Sequence, residues 1–175
     1  MERRTALILI VPEAESVVAT FRARYAAESL AKRIPAHITL LIPYVAASRL
    51  DDVAVSSARE HFGSFAPLDA ELVEVGRFTE HVWLAPSPRE PFVGLIQDTC
   101  RRFPESPYGE TFPNPVPHLT VGQATPSLSA EEIARTAEEE LGPQLPVAFR
   151  VDAAWLLVEQ EDGTWIADER LPFAA

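Results

Sequence analysis

The sequence predicts an α+β protein assembled from two related lobes. Three observations carry that prediction. Strand-like and helix-like segments alternate in roughly equal measure, a short His-x-Thr motif occurs twice, and the elements that follow each copy come in the same order. With 175 residues, 47% hydrophobic and 23% charged, the chain is most simply one domain over residues 1–175, or two small lobes on one core. A chain of that size buries about 70% of its unfolded surface without a disulfide or a metal staple.

The elements follow from local pattern. An apolar run predicts an opening strand over residues 5–11, and Val17, Phe21 and Tyr25 on one face predict a helix over 14–32. A strand over 36–42 carries the first motif, and a helix over 49–62 comes after a proline-containing turn. "LDAELVEVGRF" and "HVWLAP" read as two strands joined at residues 79–81, followed by a helix over 92–103. "PESPYGETFPNPVP" is too rich in proline for regular structure. A strand over 117–122 holds the second motif, and a helix is expected over 129–141. "VAFRVDAAWLLVEQ" and "TWIADERL" then close the chain as a hairpin around Asp162-Gly163.

His37 and His118 lie 81 residues apart, as do Thr39 and Thr120, and Ser48 and Ser129. Each serine is followed three residues later by an acid, Asp51 or Glu132, the pattern of a helix-starting capping box. Trp83 and Trp165 are 82 apart. This correspondence points to an internal duplication, with equivalent strands related by a pseudo-two-fold axis.

In a strand, side chains two apart share a face. His37 therefore emerges with Thr39, and His118 with Thr120, while Ile38, Leu40, Leu119 and Val121 turn into a core. Across a two-fold, the two faces line one cleft with two imidazoles and two hydroxyls. That set suits in-line displacement at phosphorus. One histidine takes a proton from the attacking oxygen, the other protonates the departing oxygen, and the threonines donate to the non-bridging oxygens. No metal or cofactor is called for. A single His-x-Thr on a strand is ordinarily a polar pair or a surface feature. Two copies among four histidines arise by chance on the order of once in a thousand chains of ordinary composition.

The other signals are weaker. Lone Cys100 shares a helical face with Phe92, Ile96 and Phe103 and reads as a small core residue. His61, near a helix end, and His81, at a turn, read as surface residues. A zinc site on His37, His118 and a carboxylate lacks any supporting spacing such as HExxH. The Glu138–Glu140 run reads as the solvated side of its helix. The N-terminal apolar run is too short for a signal-peptide core or a bilayer span, so a cytoplasmic location with no membrane partner is expected. A net charge of -11 argues against long nucleic acids, whose binding needs Lys and Arg on phosphates, and leaves a small phosphorylated ligand or an oligonucleotide end.

"AHITLLIPY" and "VPHLTVGQ" resemble the paired H-x-T-x motifs of the two-histidine (2H) phosphoesterases, in particular the bacterial 2′-5′ RNA ligase and cyclic phosphodiesterase branch. The resemblance in element order covers nearly the whole chain. It implies a bilobal duplicated α+β fold, with two antiparallel β-sheets and flanking helices around a central cleft. It also implies metal-independent cleavage of a 2′,3′-cyclic nucleotide end or an ADP-ribose cyclic phosphate, or reversible 2′-5′ joining of RNA. His37, Thr39, His118 and Thr120 occupy the family's catalytic positions, with acid and base roles left exchangeable. RNA-joining members often carry a basic residue just after a motif, where this chain has Leu41-Ile42 and Gly122-Gln123. Hydrolysis of a small cyclic phosphate is therefore expected over ligation, by a monomer. A nucleotide- or RNA-end-binding module without turnover is the alternative of another class, and a metal-dependent hydrolase a third.

Substrate contacts are expected from four further residues. Tyr108 and Phe112 in the proline-rich loop are placed to stack on a base, and packing of the loop against the body accounts for them equally well. Tyr44, just after the first motif strand, is placed to reach the cleft rim. Arg77 is placed to hold a phosphate or to pair with a surface acid.

Overall fold

The computed structural model describes residues 2–175, and its eight strands form one continuous sheet rather than the two that were expected. The elements run β1 (Thr5–Ile10), α1 (Pro12–Tyr25), α2 (Ala27–Ala31), β2 (His37–Leu41), α3 (Asp52–Phe62), β3 (Leu68–Arg77), β4 (His81–Ser87) and α4 (Glu90–Arg102). They continue with α5 (Tyr108–Thr111), β5 (Leu119–Gln123), α6 (Ala130–Glu140), β6 (Val147–Val151), β7 (Ala153–Glu159) and β8 (Trp165–Pro172). Strand order is β6-β3-β4-β5-β2-β1-β7-β8, with antiparallel neighbours throughout. The motif strands β2 and β5 lie side by side at the centre, four strands to a half. Among the described residues, a single pair, Ile38 with Leu119, registers the two halves to each other.

The sheet cannot lie flat. β6 is one edge and β7 the second strand from the other, roughly 29 Å apart in a flat sheet at about 4.8 Å per strand. Yet only Asp152 separates them in the chain, a reach of about 7 Å. The sheet curls, and Phe149 and Val151 of β6 join the same core as Ala154 and Leu156 of β7. The expected single strand from residue 147 is thus two strands in opposite halves, because the chain changes partner at Asp152.

Period-two alternation divides the apolar residues into two clusters. Leu7, Leu9, Ile38, Leu40, Leu119 and Val121 face a large core that receives Val18 and Phe21 of α1, Phe62 of α3, Leu95 of α4 and Ile133 of α6. Ala6, Ile8, Leu157 and Trp165 form a smaller cluster on the other face, with no helical residue among its buried members. That second face carries the polar motif residues.

Several local expectations shift. The first helix breaks at Ala26, whose φ/ψ of -141/37 leaves the helical region, so α1 ends at Tyr25 and α2 follows. Ser48 is not a helix cap. Asp51 caps α3 by accepting from the Ala54 N–H at 2.8 Å, while Ser48 hydrogen-bonds to the Glu2 carboxylate. Ser129 with Glu132 does form the full capping box of α6. The proline-rich segment contains one helical turn, α5. Trp83 and Trp165 are not equivalent, since β4 adjoins β5 near the centre whereas β8 is an edge strand. Among the described residues, no helix is long and apolar enough to cross a membrane.

Gly122 lets the helices approach β5. A Cβ there would lie 2.8 Å from Cγ2 of Ile133 and 3.3 Å from Cβ of Tyr25, so only glycine fits without displacing α6 or α1. Gly122→Val is expected to destabilise the protein by about 1–3 kcal/mol through overpacking, read as a lower urea midpoint at unchanged m-value.

Candidate active site

Proline places both motifs. Pro35 and Pro117 each precede a motif histidine by one or two positions and bias the residue before them, Ile34 or Val116, toward extended backbone. Ile38, Leu40, Leu119 and Val121 are fully buried, and the residues between them, His37, Thr39, His118 and Thr120, are half-buried on the opposite face. Extending the Ile38–Leu119 register by one residue each way sets His37 opposite Thr120 and Thr39 opposite His118. The four side chains therefore form a square with the histidines on one diagonal. At that position, Cβ atoms are roughly 7 Å apart, a spacing that lets two rings reach one phosphorus from two sides.

The square has apolar walls. On the β1 side, Ile8 and Ile10 pair with Thr39 and His37. On the β4 side, Trp83 pairs with Thr120, and its ring lies 6.0 Å from that of His118. Phe78 stands edge-on to His118 at 5.0 Å. Gly76 makes room for this arrangement, because a Cβ there would overlap the Trp83 indole.

Both imidazoles are anchored alike. Nδ1 of His37 lies 2.8 Å from the Pro35 carbonyl oxygen, and Nδ1 of His118 lies 2.7 Å from that of Val116. A carbonyl oxygen only accepts, so each Nδ1 carries the hydrogen and each neutral ring keeps its lone pair on Nε2. Burial lowers the His37 pKa to about 4, and the Arg22 and His118 charges push it the same way against the Pro35 carbonyl and Glu15. Burial also lowers that of His118, opposed by the Val116 carbonyl and reinforced by His81. Near neutral pH the unliganded site therefore holds two neutral imidazoles.

A cavity of about 800 Å³ opens over the square, lined by Thr39, His118 and Thr120 together with Ile42, Ile96, Pro115 and Val116. Its rim is built by Phe78, Thr79, Glu80 and His81 from the β3–β4 turn, and by Tyr108, Phe112 and Asn114 from the segment before β5. His37 stands next to it, on the same strand face as Thr39. Among the described residues, no Lys or Arg lines the cavity, and Glu80 is its one carboxylate. Nor does any group of three or more His, Cys, Asp or Glu among them come together to hold a metal ion.

Of the expected substrate contacts, Tyr108 and Phe112 lie in the cavity wall, ring centroids 4.9 Å apart. Burial pushes the Tyr108 hydroxyl up to about 12, so it stays a neutral donor. Tyr44 lies elsewhere. Its hydroxyl donates to the Ala54 carbonyl at 2.7 Å and its ring packs on Phe103, because the chain turns away from the cleft after β2. Arg77 is also outside the cavity, exposed at the end of β3 opposite Val82. The two histidines read as surface residues are each half-buried. His61 is half-buried among Phe62, Phe65 and Phe103, with Nε2 3.0 Å from the Thr99 hydroxyl. His81 lines the cavity. Phe78, Glu80, His81, Trp83 and Asn114 carry no motif that marks them, since only the pairing of β4 with β5 brings the first four to His118.

The fold has close counterparts among solved structures. Escherichia coli LigT complexed with ATP superposes with a TM-score of 0.63 at 14% identity, covering 100% of both chains. Its complex with phosphate gives 0.61 at 13% identity, again covering 100% of both chains. The protein TT0787 of Thermus thermophilus gives 0.58 at 16% identity over 97% of each chain. Curated proteins yield no match. The family model of the 2′-5′ RNA ligase superfamily matches residues 10–163. With most of its length matched, and with the fold of LigT, this chain belongs to the 2′-5′ RNA ligase superfamily of two-histidine phosphoesterases.

Proposed function

We propose that the protein is a metal-independent phosphodiesterase that opens a small cyclic phosphate, a 2′,3′-cyclic nucleotide or an ADP-ribose cyclic phosphate. The observation that carries this reading is the His37–Thr39–His118–Thr120 square, with both Nε2 lone pairs freed by identical Nδ1 anchors.

The chemistry follows from the two pKa shifts. His37, with its pKa near 4, is the better placed to remain neutral and acts as the base. It takes a proton from water as the water oxygen bonds to phosphorus. His118, on the opposite corner and protonated on Nε2 in the active form, gives that proton to the departing ribose oxygen as the phosphorus–oxygen bond breaks. Thr39 and Thr120 donate to the non-bridging oxygens as charge gathers there. The product is a ring-opened phosphomonoester, and solvent returns the proton from His37 to His118. A cavity free of Lys and Arg suits a compact monoanion better than an RNA strand, and its aromatic wall suits a base. The net charge of -11 favours the same choice.

Purified protein in excess EDTA, offered 2′,3′-cyclic nucleotides and ADP-ribose cyclic phosphate, is expected to release the ring-opened monoester. Failure on every cyclic phosphate, with nucleotide still bound, would make the protein a binding module instead. Changing His37 or His118 to Ala is expected to cost on the order of 10² to 10⁴ in kcat, with the circular dichroism spectrum unchanged. Binding and turnover that survive both changes would remove the mechanism.

The pH profile has a definite sign. His37 must be neutral, which holds above about pH 4, and His118 must be protonated, which holds below its lowered value. The log of kcat/KM is therefore expected to peak on the acid side of 6.5 and to fall with unit slope above it. A bound phosphate anion favours the imidazolium, so the alkaline limb of kcat lies at higher pH than that of kcat/KM. Stopped assays across pH 4–9 read both limbs, and a kcat/KM that climbs through pH 7–9 contradicts the assignment.

A further inference from the structure

Behind His37 lies a charged pair that the mechanism above does not use. Arg22 of α1 is 2% exposed, and its Nη2 donates to the Ile34 carbonyl at 2.8 Å. Its Nη1 lies 3.8 Å from Oε2 of Glu15, whose Oε1 accepts from the Ala36 N–H at 2.6 Å. The Ala36 carbonyl accepts in turn from the Val11 N–H at 3.0 Å. The backbone on both sides of Pro35 is therefore held from α1 and its leading residue, and the Pro35 carbonyl between them holds Nδ1 of His37. Among the described residues, no comparable side-chain clamp holds residues 115 to 117 before His118, where Pro115 and Pro117 stiffen the chain instead.

As a stabilising element Arg22 is poorly built. Its Nε and Nη1 have no hydrogen-bond partner among the described residues, and a buried donor left unpaired forfeits its hydration without a replacement bond. An apolar side chain of similar volume would pack there without that cost. Local rules broken in this way are expected where a site gains from them.

We infer that Arg22 and Glu15 are positioning residues for His37: together they clamp residues 34 to 36, hold the Pro35 carbonyl on Nδ1, and so keep Nε2 of His37 as the proton acceptor. This rests on the proposed phosphodiesterase reading for its catalytic consequence, and on geometry alone for its effect on His37. The charged and titratable groups facing His37 are Arg22 and Glu15 from α1 and His118 across the central seam. The two members of the clamp act on the ring with opposite sign. Arg22 favours the neutral imidazole, and Glu15 favours the cation.

The test uses the full chain with Arg22→Met, Arg22→Lys and Glu15→Gln. The His37 ring nitrogens are followed by ¹⁵N NMR through a pH titration, with His37→Asn for assignment. In Arg22→Met the His37 midpoint is expected to rise by on the order of half a pH unit, and an Nε2–H tautomer signal is expected to appear. In Glu15→Gln, which keeps the Oε1 acceptor, the midpoint falls. Arg22→Lys, which restores the charge and one donor, returns the midpoint toward that of the parent. On a cyclic nucleotide, Arg22→Met is expected to lose about 10- to 100-fold in kcat with KM nearly unchanged. Unchanged His37 shifts and midpoint in folded Arg22→Met would overturn the inference. Should that variant not fold, equal midpoints in Glu15→Gln and the parent would do the same. The nitrogen spectra judge the clamp even if the parent turns over no cyclic phosphate, in which case only the phosphodiesterase reading falls.

Discussion

The central constraint is the junction of β2 and β5. Among the described residues, two four-stranded halves meet there through a single registered pair, Ile38 with Leu119, and both residues are fully buried. Because side chains alternate along a strand, driving those two inward turns the residues on either side outward. The hydrophobic core thus determines where the polar square stands. A slip of one residue in either strand would bury His37 and Thr39, or His118 and Thr120, and expose Ile38 or Leu119. Folding free energy and site geometry are enforced by the same contacts.

The site is set apart from the core by dielectric as much as by position. Ile8 and Ile10 on one flank, and Trp83 and Phe78 on the other, remove water from the square without supplying charge. Both imidazoles are kept neutral in consequence, and the two backbone carbonyls decide which nitrogen is free. The site is asymmetric even though the motifs match. His37 has the buried Arg22 and the partly exposed Glu15 of α1 behind it, whereas His118 has aromatic rings and the His81 imidazole. Two equal motifs thereby acquire unequal proton affinities, because the groups behind each ring differ.

Most strands and helices were legible because each depends on local periodicity. β1, β2, β5 and α6 fall close to the expected spans, and the capping box at Ser129 is a local hydrogen-bond pattern. The misreadings share a cause. Ser48 lost the cap to Asp51, the strand from residue 147 divided at Asp152, and the two tryptophans proved to occupy unlike strands. Each was decided by a partner far away in the chain. Tyr44 and Arg77 were placed by nearness in sequence to a motif or a strand, and both point away from the cleft.

By itself the sequence determined that two His-Thr faces exist and that each is backed by apolar residues, since alternation within a strand is a property of the chain. It also carried the prolines that precede each motif and the absence of a basic residue directly after either one. Only the tertiary structure decided that the two faces share one sheet. It placed His81, Glu80 and the Phe78–Trp83 pair at the cavity, and it set Arg22 behind His37. Those relations come from strand pairing and helix docking between residues distant in sequence, and the free energy that selects them belongs to the packed core as a whole.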